Sequence, residues 1–399
     1  MSDKLKSLKS EGKKLKGASK VTSKKTFTDL GLKKDILSVL RTLNFHYPTE
    51  VQSKIVPQIL SDKNVVFTSP TGSGKTLAFL LGYLGKLNKK QGVQMVVLVP
   101  TRELAVQVEK ELKRLCDLLG LKVGVLYGGR DFKGDTRTLV RKNQIMVGTP
   151  GRLLQHVNEK TLKVGEVKYL VFDESDQMFD DGFYADCKYM KSRVSVDCQI
   201  VLSSATMTEK VVDFVEKEIV YFEFFEIGEL IPSTIRQEKA FIPISEKNDF
   251  LLDFFSDRKF KRALIFCNTK TRSEEIEKFF SNNGYKTRSL NADLEQKERE
   301  NYLSLFKQGK VNILVATDVA ARGLHIKQVR IVVNYDVPTR DEFYVHRIGR
   351  SGRNGAKGYS LTLVCPEDEE RFERIENTFD LDISEYSDTS FDEFLENSK

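Results

Sequence analysis

The sequence predicts an α/β chain of two units, each a mostly parallel sheet flanked by helices. Three observations predict it. Short β-branched apolar runs alternate with amphipathic stretches of helical period, a pattern that gives parallel sheets wrapped by helices. The alternation occurs twice, with a break around Pro232. A Gly-rich turn, Ser69–Thr76, stands between a strand pattern and a helix pattern in the first series alone. With 399 residues, 40% of them hydrophobic, the chain has apolar content for two cores.

In order, Met1–Lys25 carries nine Lys, no Arg and no aromatic residue, so residues 1–26 are expected to be a disordered basic arm able to touch phosphates. Residues 27–231 form the first domain, with strands expected at Val65–Thr68, Met95–Val99, Lys122–Tyr127, Ile145–Val147, Tyr169–Phe172 and Gln199–Leu202. Helical runs Leu77–Leu87 and Glu103–Leu119 lie between them. Residues 232–237, around Pro232, read as a linker. The second domain, 238–380, has strand patterns at Ala263–Phe266, Lys286–Leu290, Ile313–Val315, Arg330–Val333 and Ser360–Val364, with helical runs Arg272–Asn283 and Gln296–Gln308. Residues 381–399 are acidic and Ser-rich and are expected to fray.

The formal net charge of +7 suits a polyanionic partner without identifying one. Five cysteines (Cys116, Cys187, Cys198, Cys267, Cys365) lack C-x-x-C spacing, which points to reduced thiols of an intracellular protein rather than zinc or disulfides. His46, His156 and His325 form no metal set. No apolar run reaches the length of a membrane span, and no apolar signal core opens the chain.

The chemistry begins at Ser69-Pro-Thr-Gly-Ser-Gly-Lys-Thr76. A strand, a Gly-rich turn and a helix N-terminus place backbone N–H groups around a phosphate. Ser69, Pro70, Thr71, Gly72, Ser73 and Gly74 make the cradle, Lys75 reaches the β/γ-phosphates and the Thr76 hydroxyl holds Mg²⁺. Ser69 stands where the strict pattern has Gly. Asp173-Glu174-Ser175-Asp176 follows an apolar strand, at the carboxyl end where open α/β sheets bind ligands. Asp173 suits the metal and Glu174 the attacking water. Arg350 and Arg353, three apart, would share one face of a helical turn.

These motifs recur in company: Asn44-Phe-His-Tyr-Pro-Thr-Glu-Val-Gln52, Pro100-Thr-Arg-Glu-Leu-Ala105, Gly128-Gly129, Thr149-Pro-Gly-Arg152, Ser204-Ala-Thr206, Leu264-Ile-Phe-Cys-Asn268, Gln296-Lys-Glu-Arg299, Ala316-Thr-Asp-Val-Ala-Ala-Arg-Gly323 and His346-Arg-Ile-Gly-Arg-Ser-Gly-Arg353. In this order, from Phe27 to about Val364, the chain resembles a DEAD-box ATP-dependent RNA helicase of superfamily 2, with a D-E-S-D tetrad in place of D-E-A-D. The resemblance implies two tandem RecA-like domains, ATP and Mg²⁺ as cofactors, and RNA bound through its backbone without base code. It assigns the adenine edge to Gln52 and the adenine face to Phe27. RNA contacts fall to Thr101, Arg102, Gly128, Gly129, Thr149 and Arg152 in the first domain, and to Asn268, Arg299 and Thr317 in the second. Coupling falls to Asp176, Ser204, Thr206, Asp318 and His346, and Arg350 and Arg353 become arginine fingers on the γ-phosphate. A monomer that closes its two domains on ATP and RNA is the implied machine, and cytoplasm, or nucleus and nucleolus, the implied location.

The chain departs from the family pattern at Asn44 for Gly, Ser69 for Ala, Ser175 for Ala, Ser351 for Thr and His325 for Asp. Two rival classes use the same residues: an ATP-gated RNA clamp that remodels complexes without productive unwinding, and a DNA translocase. A GTPase is disfavoured because the sequence has no N-K-x-D run.

Overall fold

The computed structural model describes residues 25–70, 72–129, 131–256, 262–321, 329–352, 357–388, 391 and 394. The chain divides into two compact units, Met1–Leu230 and Ile231–Lys399.

The first unit holds β1 (Asn64–Thr68), β2 (Met95–Leu98), β3 (Val123–Leu126), β4 (Ile145–Gly148), β5 (Tyr169–Phe172), β6 (Gln199–Ser204) and β7 (Phe222–Glu226). They form one sheet in the order β3-β4-β2-β5-β6-β1-β7, every pairing parallel. Successive side chains of a strand point to opposite faces. In β1, Val65 and Phe67 accordingly enter one buried apolar cluster and Val66 the other. A sheet covered on both faces needs apolar residues at every position, which is why these strands read as continuous runs. The helices that matter for function are α1 (Glu50–Leu60), α2 (Lys75–Leu84), α3 (Arg102–Leu119), α4 (Pro150–Asn158) and α5 (Ser175–Asp180). Strand β7 was not expected. Its sequence, F-E-F-F-E, pairs along one side only and keeps Glu223 in an ion pair with Lys63 at 3.0 Å, so the run carries charge that an interior strand would exclude.

The second unit holds β8 (Ile235–Phe241), β9 (Ala263–Cys267), β10 (Thr287–Leu290), β11 (Ile313–Thr317), β12 (Ile331–Asn334), β13 (Gly358–Val364) and β14 (Ser384–Glu385). The order is β10-β11-β9-β12-β13-β8-β14, again all parallel. Counted from its own first strand, each unit runs third, fourth, second, fifth, sixth, first, seventh. The two units are therefore the same topology used twice. Helices α6 (Gln296–Lys307), α7 (Asp318–Ala321) and α8 (Asp341–Ile348) carry its candidate site residues.

Two expectations are corrected. The stretch 232–237 is not wholly linker, because β8 starts at Ile235 and pairs with β13 along its length. Its charged I-R-Q-E-K-A-F sequence concealed it. Glu238 is fully buried, held by the Tyr359 hydroxyl and by Arg236 Nε at 2.8 Å, so the charge is neutralised inside the fold. Nor do residues beyond 380 simply fray. Ser384–Glu385 pairs with β8, and Phe391 packs its ring 4.5 Å from that of Tyr359 and 4.7 Å from that of Phe254. Two buried aromatics, Phe391 and Phe394, anchor an otherwise acidic segment. Residues 1–24 of the expected arm lie outside the described residues.

Candidate nucleotide and RNA site

The turn after β1 closes on itself. The Ser69 N–H donates to Ser204 O on β6 at 3.1 Å, and Lys75 Nζ, buried, donates to Ser69 O at 3.0 Å. The Ser69 and Ser73 hydroxyls lie 3.1 Å apart, so the serine standing where the family has Ala braces the turn. Gly74 caps α2 at φ +92°, a left-handed conformation in which a Cβ would also come within 2.6 Å of Gln52 Nε2. The α2 N-terminus thus opens onto the turn with the backbone N–H groups of its first turn and the positive end of its dipole. Thr76 sits in its first turn and Thr71 lies outside the described residues.

Gln52 joins two helix starts. Its side-chain oxygen accepts from Thr49 N at 3.0 Å, Thr49 Oγ1 accepts from Gln52 N at 3.3 Å, and Gln52 Nε2 donates to Gly74 O at 3.2 Å. This is a capping box extended to the phosphate turn. Phe27 is buried in the apolar cluster that also holds Leu30 and Ile36. Asn44 takes φ +59°, which explains why glycine is usual there and asparagine tolerated.

The acidic loop after β5 is held by β6. Asp173 Oδ1 accepts from the Ser203 hydroxyl and from Glu174 N (3.1 Å), both on one oxygen, and the residue is buried. Glu174 adopts φ +52° just ahead of α5. Ser175 donates to Ser203 O at 3.0 Å and lies within 3.3 Å of Phe172 O, so the hydroxyl absent from a D-E-A-D tetrad is satisfied where it is fully buried. Asp176 Oδ2 accepts from both Thr206 N (2.9 Å) and Thr206 Oγ1 (2.8 Å). The Asp176 N–H donates to Ser204 Oγ at 3.2 Å, and that hydroxyl donates to Thr206 O at 2.7 Å. Asp176, Ser204 and Thr206 are thus one buried network.

On the other half of the same sheet edge, turns follow β2, β3 and β4. Thr101 caps α3 by accepting from Leu104 N at 3.2 Å, and Arg102, exposed, lays its guanidinium over Gly128-Gly129. Gly129 has φ +81°, and a Cβ there would stand 2.5 Å from Arg102 Cζ. Thr149 opens α4. Arg152, expected at a phosphate, is buried, its Nε donating to Asp135 Oδ2 at 2.8 Å and its Nη1 to Gln155 Oε1 at 2.9 Å.

In the second unit the hub is Arg347, which the motif reading passed over. It is 1% exposed. It makes two bonds of 2.7 Å to the Asp318 carboxylate, one of 2.8 Å to Asn268 Oδ1 and one of 2.7 Å to Asp336 O. Asn268 also donates to Val337 O at 2.9 Å. Arg299 on α6 donates to Ala320 O at 2.6 Å, and Thr317, buried, ends β11 beside Asp318. His346 is half-buried on α8. Arg350 is buried but not helical: α8 stops at Ile348 with Gly349 as its cap, and Ser351 bridges to Val329. Arg350 thus follows the helix in a turn, its N–H donating to Arg347 O at 3.1 Å. Arg353, like Arg322, Gly323 and His325, lies outside the described residues.

Comparison with known proteins adds the family. Residues 49–214 match the model of the DEAD/DEAH box helicase, and residues 246–355 match the helicase conserved C-terminal domain. The DEAD-box ATP-dependent RNA helicase CshA of Geobacillus kaustophilus is 36% identical over 374 residues, 93% of this chain and 80% of that protein. This chain belongs to the DEAD-box RNA helicase family. CshA of Listeria monocytogenes is 38% identical over 348 residues, 86% of this chain and 66% of that one. Among solved structures, S. cerevisiae Dbp5 bound to RNA and ADP BeF3 is 28% identical, covers 94% of this chain and 99% of its own, and superposes with a TM-score of 0.84. The fold is that of tandem RecA-like domains.

Within this DEAD-box chain the structure gathers Ser69–Thr76, Asp173–Asp176 and Ser203–Thr206 at the ends of β1, β5 and β6, and Thr101, Arg102, Gly128, Gly129 and Thr149 at the ends of β2, β3 and β4. Ser203, Asp135 and Arg347 were missed. Ser203 immediately precedes S-A-T, and its alternation with Ser204 places one hydroxyl on each face of β6. Asp135 and Arg347 left no local signal, because their partners lie 17 and 29 residues away. The donor set fits a nucleotide and a hard cation: hydroxyl and carboxylate oxygens at Thr76 and Asp173, with Ser203 Oγ and Glu174 N both donating to Asp173 Oδ1. Among the described residues no cluster of three His, Cys, Asp or Glu could hold a metal ion.

Proposed function

We propose that this DEAD-box chain, an ATP-dependent RNA helicase, divides its labour along one sheet edge. The turn Ser69–Thr76 and Lys75 hold the triphosphate of ATP, and the Gln52 amide exchanges its internal bonds for the adenine edge, with Phe27 bordering the base. Thr76 and Asp173 would hold Mg²⁺, which supplies charge neutralisation at the β/γ-phosphates when bound. Glu174 orients the water. Thr101, Arg102, Gly128, Gly129 and Thr149 bind RNA phosphate and sugar, a recognition without base code. The second unit adds Asn268, Arg299 and Thr317 to RNA and Arg350, with Arg353, to the γ-phosphate, so hydrolysis requires both units to engage. Asp318 and His346 link those two tasks.

The observation that carries this reading is the Asp176–Ser204–Thr206 network. It joins the acidic loop that faces nucleotide to the strand that holds the phosphate turn through Ser204 O and Ser69 N. Movement at the nucleotide is thereby transmitted across β6 rather than absorbed locally. Five buried free cysteines support a reducing compartment, which we take as the cytoplasm, with nucleus or nucleolus as the alternative. A strand-displacement assay on a short RNA duplex tests the function. ATP-dependent release of one strand is expected, whereas ATP-dependent retention of RNA without release would establish the clamp instead.

A further inference from the structure

Four side chains close on one another between the segment after β3 and helix α4. Asp135 Oδ2 accepts from Arg152 Nε at 2.8 Å and faces His156 Nε2 at 3.0 Å. A carboxylate oxygen can only accept, so the imidazole presents its proton from Nε2. Arg152 and His156 are four apart on α4 and so share a face. Phe132 fills the same space: the His156 ring stacks on it with centroids 4.2 Å apart and planes 11° apart, and the Arg152 guanidinium lies 5.1 Å from its centroid. His156 Nδ1 is 2.9 Å from Thr161 Oγ1. Asp135 and His156 are 2% and 1% exposed. A charge buried this deeply persists only where its partners are fixed, so the cluster has one geometry.

The position of the cluster gives it a task. Asp135 lies six residues beyond Gly129, and Arg152 three residues beyond Thr149. We infer that Phe132, Asp135 and His156 are positioning residues for RNA. They latch the Gly128-Gly129 turn to the Thr149-Pro-Gly151 turn, and Arg152 acts through Asp135 rather than on a phosphate. This inference rests on the RNA-binding reading above. It separates two roles that a basic residue in this motif can play, because an arginine that neutralises a phosphate and an arginine that braces a turn leave different signatures. Removing a phosphate contact to a single strand lowers the slope of log affinity against log salt by about 0.7, whereas loosening a latch lowers affinity at every salt concentration and leaves the slope alone.

The test uses the full chain and a fluorescein-labelled oligouridylate. RNA affinity is titrated between low and moderate salt, and ATPase rate is measured against RNA and against ATP. Asp135→Asn, His156→Gln and Arg152→Gln are each expected to raise the KM for RNA about tenfold, with the KM for ATP within twofold and the salt slope unchanged. The double variant Asp135→Asn/Arg152→Gln is expected to be no worse than either single one. Asp135→Glu is expected to recover part of the loss. Phe132→Leu, at a half-buried site, supplies a variant that keeps the ion pair and should raise the KM for RNA by about threefold if the other substitutions impair folding. A slope reduced by about 0.7 in Arg152→Gln, with Asp135→Asn indistinguishable from wild type, would overturn the latch. If the wild-type chain itself shows no RNA-stimulated ATPase, the RNA-binding reading fails instead. The two failures are therefore distinct.

Discussion

Replacing Asp176 by Asn is the sharpest single test of how the acidic loop is held. The change keeps size and shape but turns one acceptor oxygen into a donor NH₂. Oδ2 accepts from Thr206 N and Thr206 Oγ1, at 2.9 and 2.8 Å, and Oδ1 accepts from Gln177 N at 3.0 Å. If the NH₂ replaces Oδ2, the Thr206 N–H meets a donor. If it replaces Oδ1, the Gln177 N–H does. One charge-assisted bond is lost in either orientation, about 1.5–3 kcal/mol, and the bonds that survive become neutral ones. The site is 1% exposed, so solvent cannot compensate the orphaned N–H, and a total of about 2–4 kcal/mol is expected. In a unit of this size that lowers the first unit's melting temperature by roughly 5–12 °C. Calorimetry on the full chain reads it, with the second unit's transition as an internal control, and Thr206→Val should cost less because only the hydroxyl bond is removed. RNA-stimulated ATPase should fall at temperatures where Asp176→Asn is still folded. A melting shift below 2 °C with unchanged stimulation would show that the network neither stabilises nor transmits.

Two further outcomes follow from the geometry. Gly129→Ala pays the left-handed backbone penalty of about 1–2 kcal/mol and displaces the Arg102 guanidinium, so the KM for RNA should rise about tenfold in an ATPase titration while the KM for ATP holds. An unchanged KM for RNA would remove Arg102 from the RNA surface. Burial pushes the thiols of Cys116, Cys198 and Cys267 up to about 12 from an ordinary value near 9. The folded state thus keeps protons that the unfolded state loses, and stability contributed by these groups is present below pH 9 and declines as pH rises toward 12. At pH 8 all five buried cysteines should resist a thiol reagent until the chain is unfolded, and stoichiometric labelling of the native protein would contradict their burial.

Much of the fold could be read before the coordinates because interior parallel strands must be apolar on both faces. The expected interior runs, from Val65–Thr68 to Gln199–Leu202, become strands with ends moved by no more than two residues. What escaped was at or next to one edge of each sheet. Strand β7 carries Glu223 and Glu226, and β8 buries Glu238, so hydrophobic pattern failed where Lys63 pairs with Glu223 and where Arg236 and the Tyr359 hydroxyl hold Glu238. The candidate site divides the same way. Ser69–Thr76 and Asp173–Asp176 announce themselves because phosphate and metal chemistry demand particular residues at fixed local spacing. The bracing of that chemistry is long-range: Gln52 on Gly74, Ser203 on Asp173, Asp135 on Arg152, Arg347 on Asp318. No local pattern encodes such pairs. Arg152 shows the consequence, since its motif position gives no sign of the bond that the fold gives it to Asp135.

The most direct test of the whole account is the ATPase rate of the full chain with and without single-stranded RNA, repeated with DNA of matched sequence and with Lys75→Ala. Stimulation by RNA well beyond that by DNA, abolished in Lys75→Ala, is the predicted result. Hydrolysis that ignores RNA, or that survives the loss of Lys75, would contradict it.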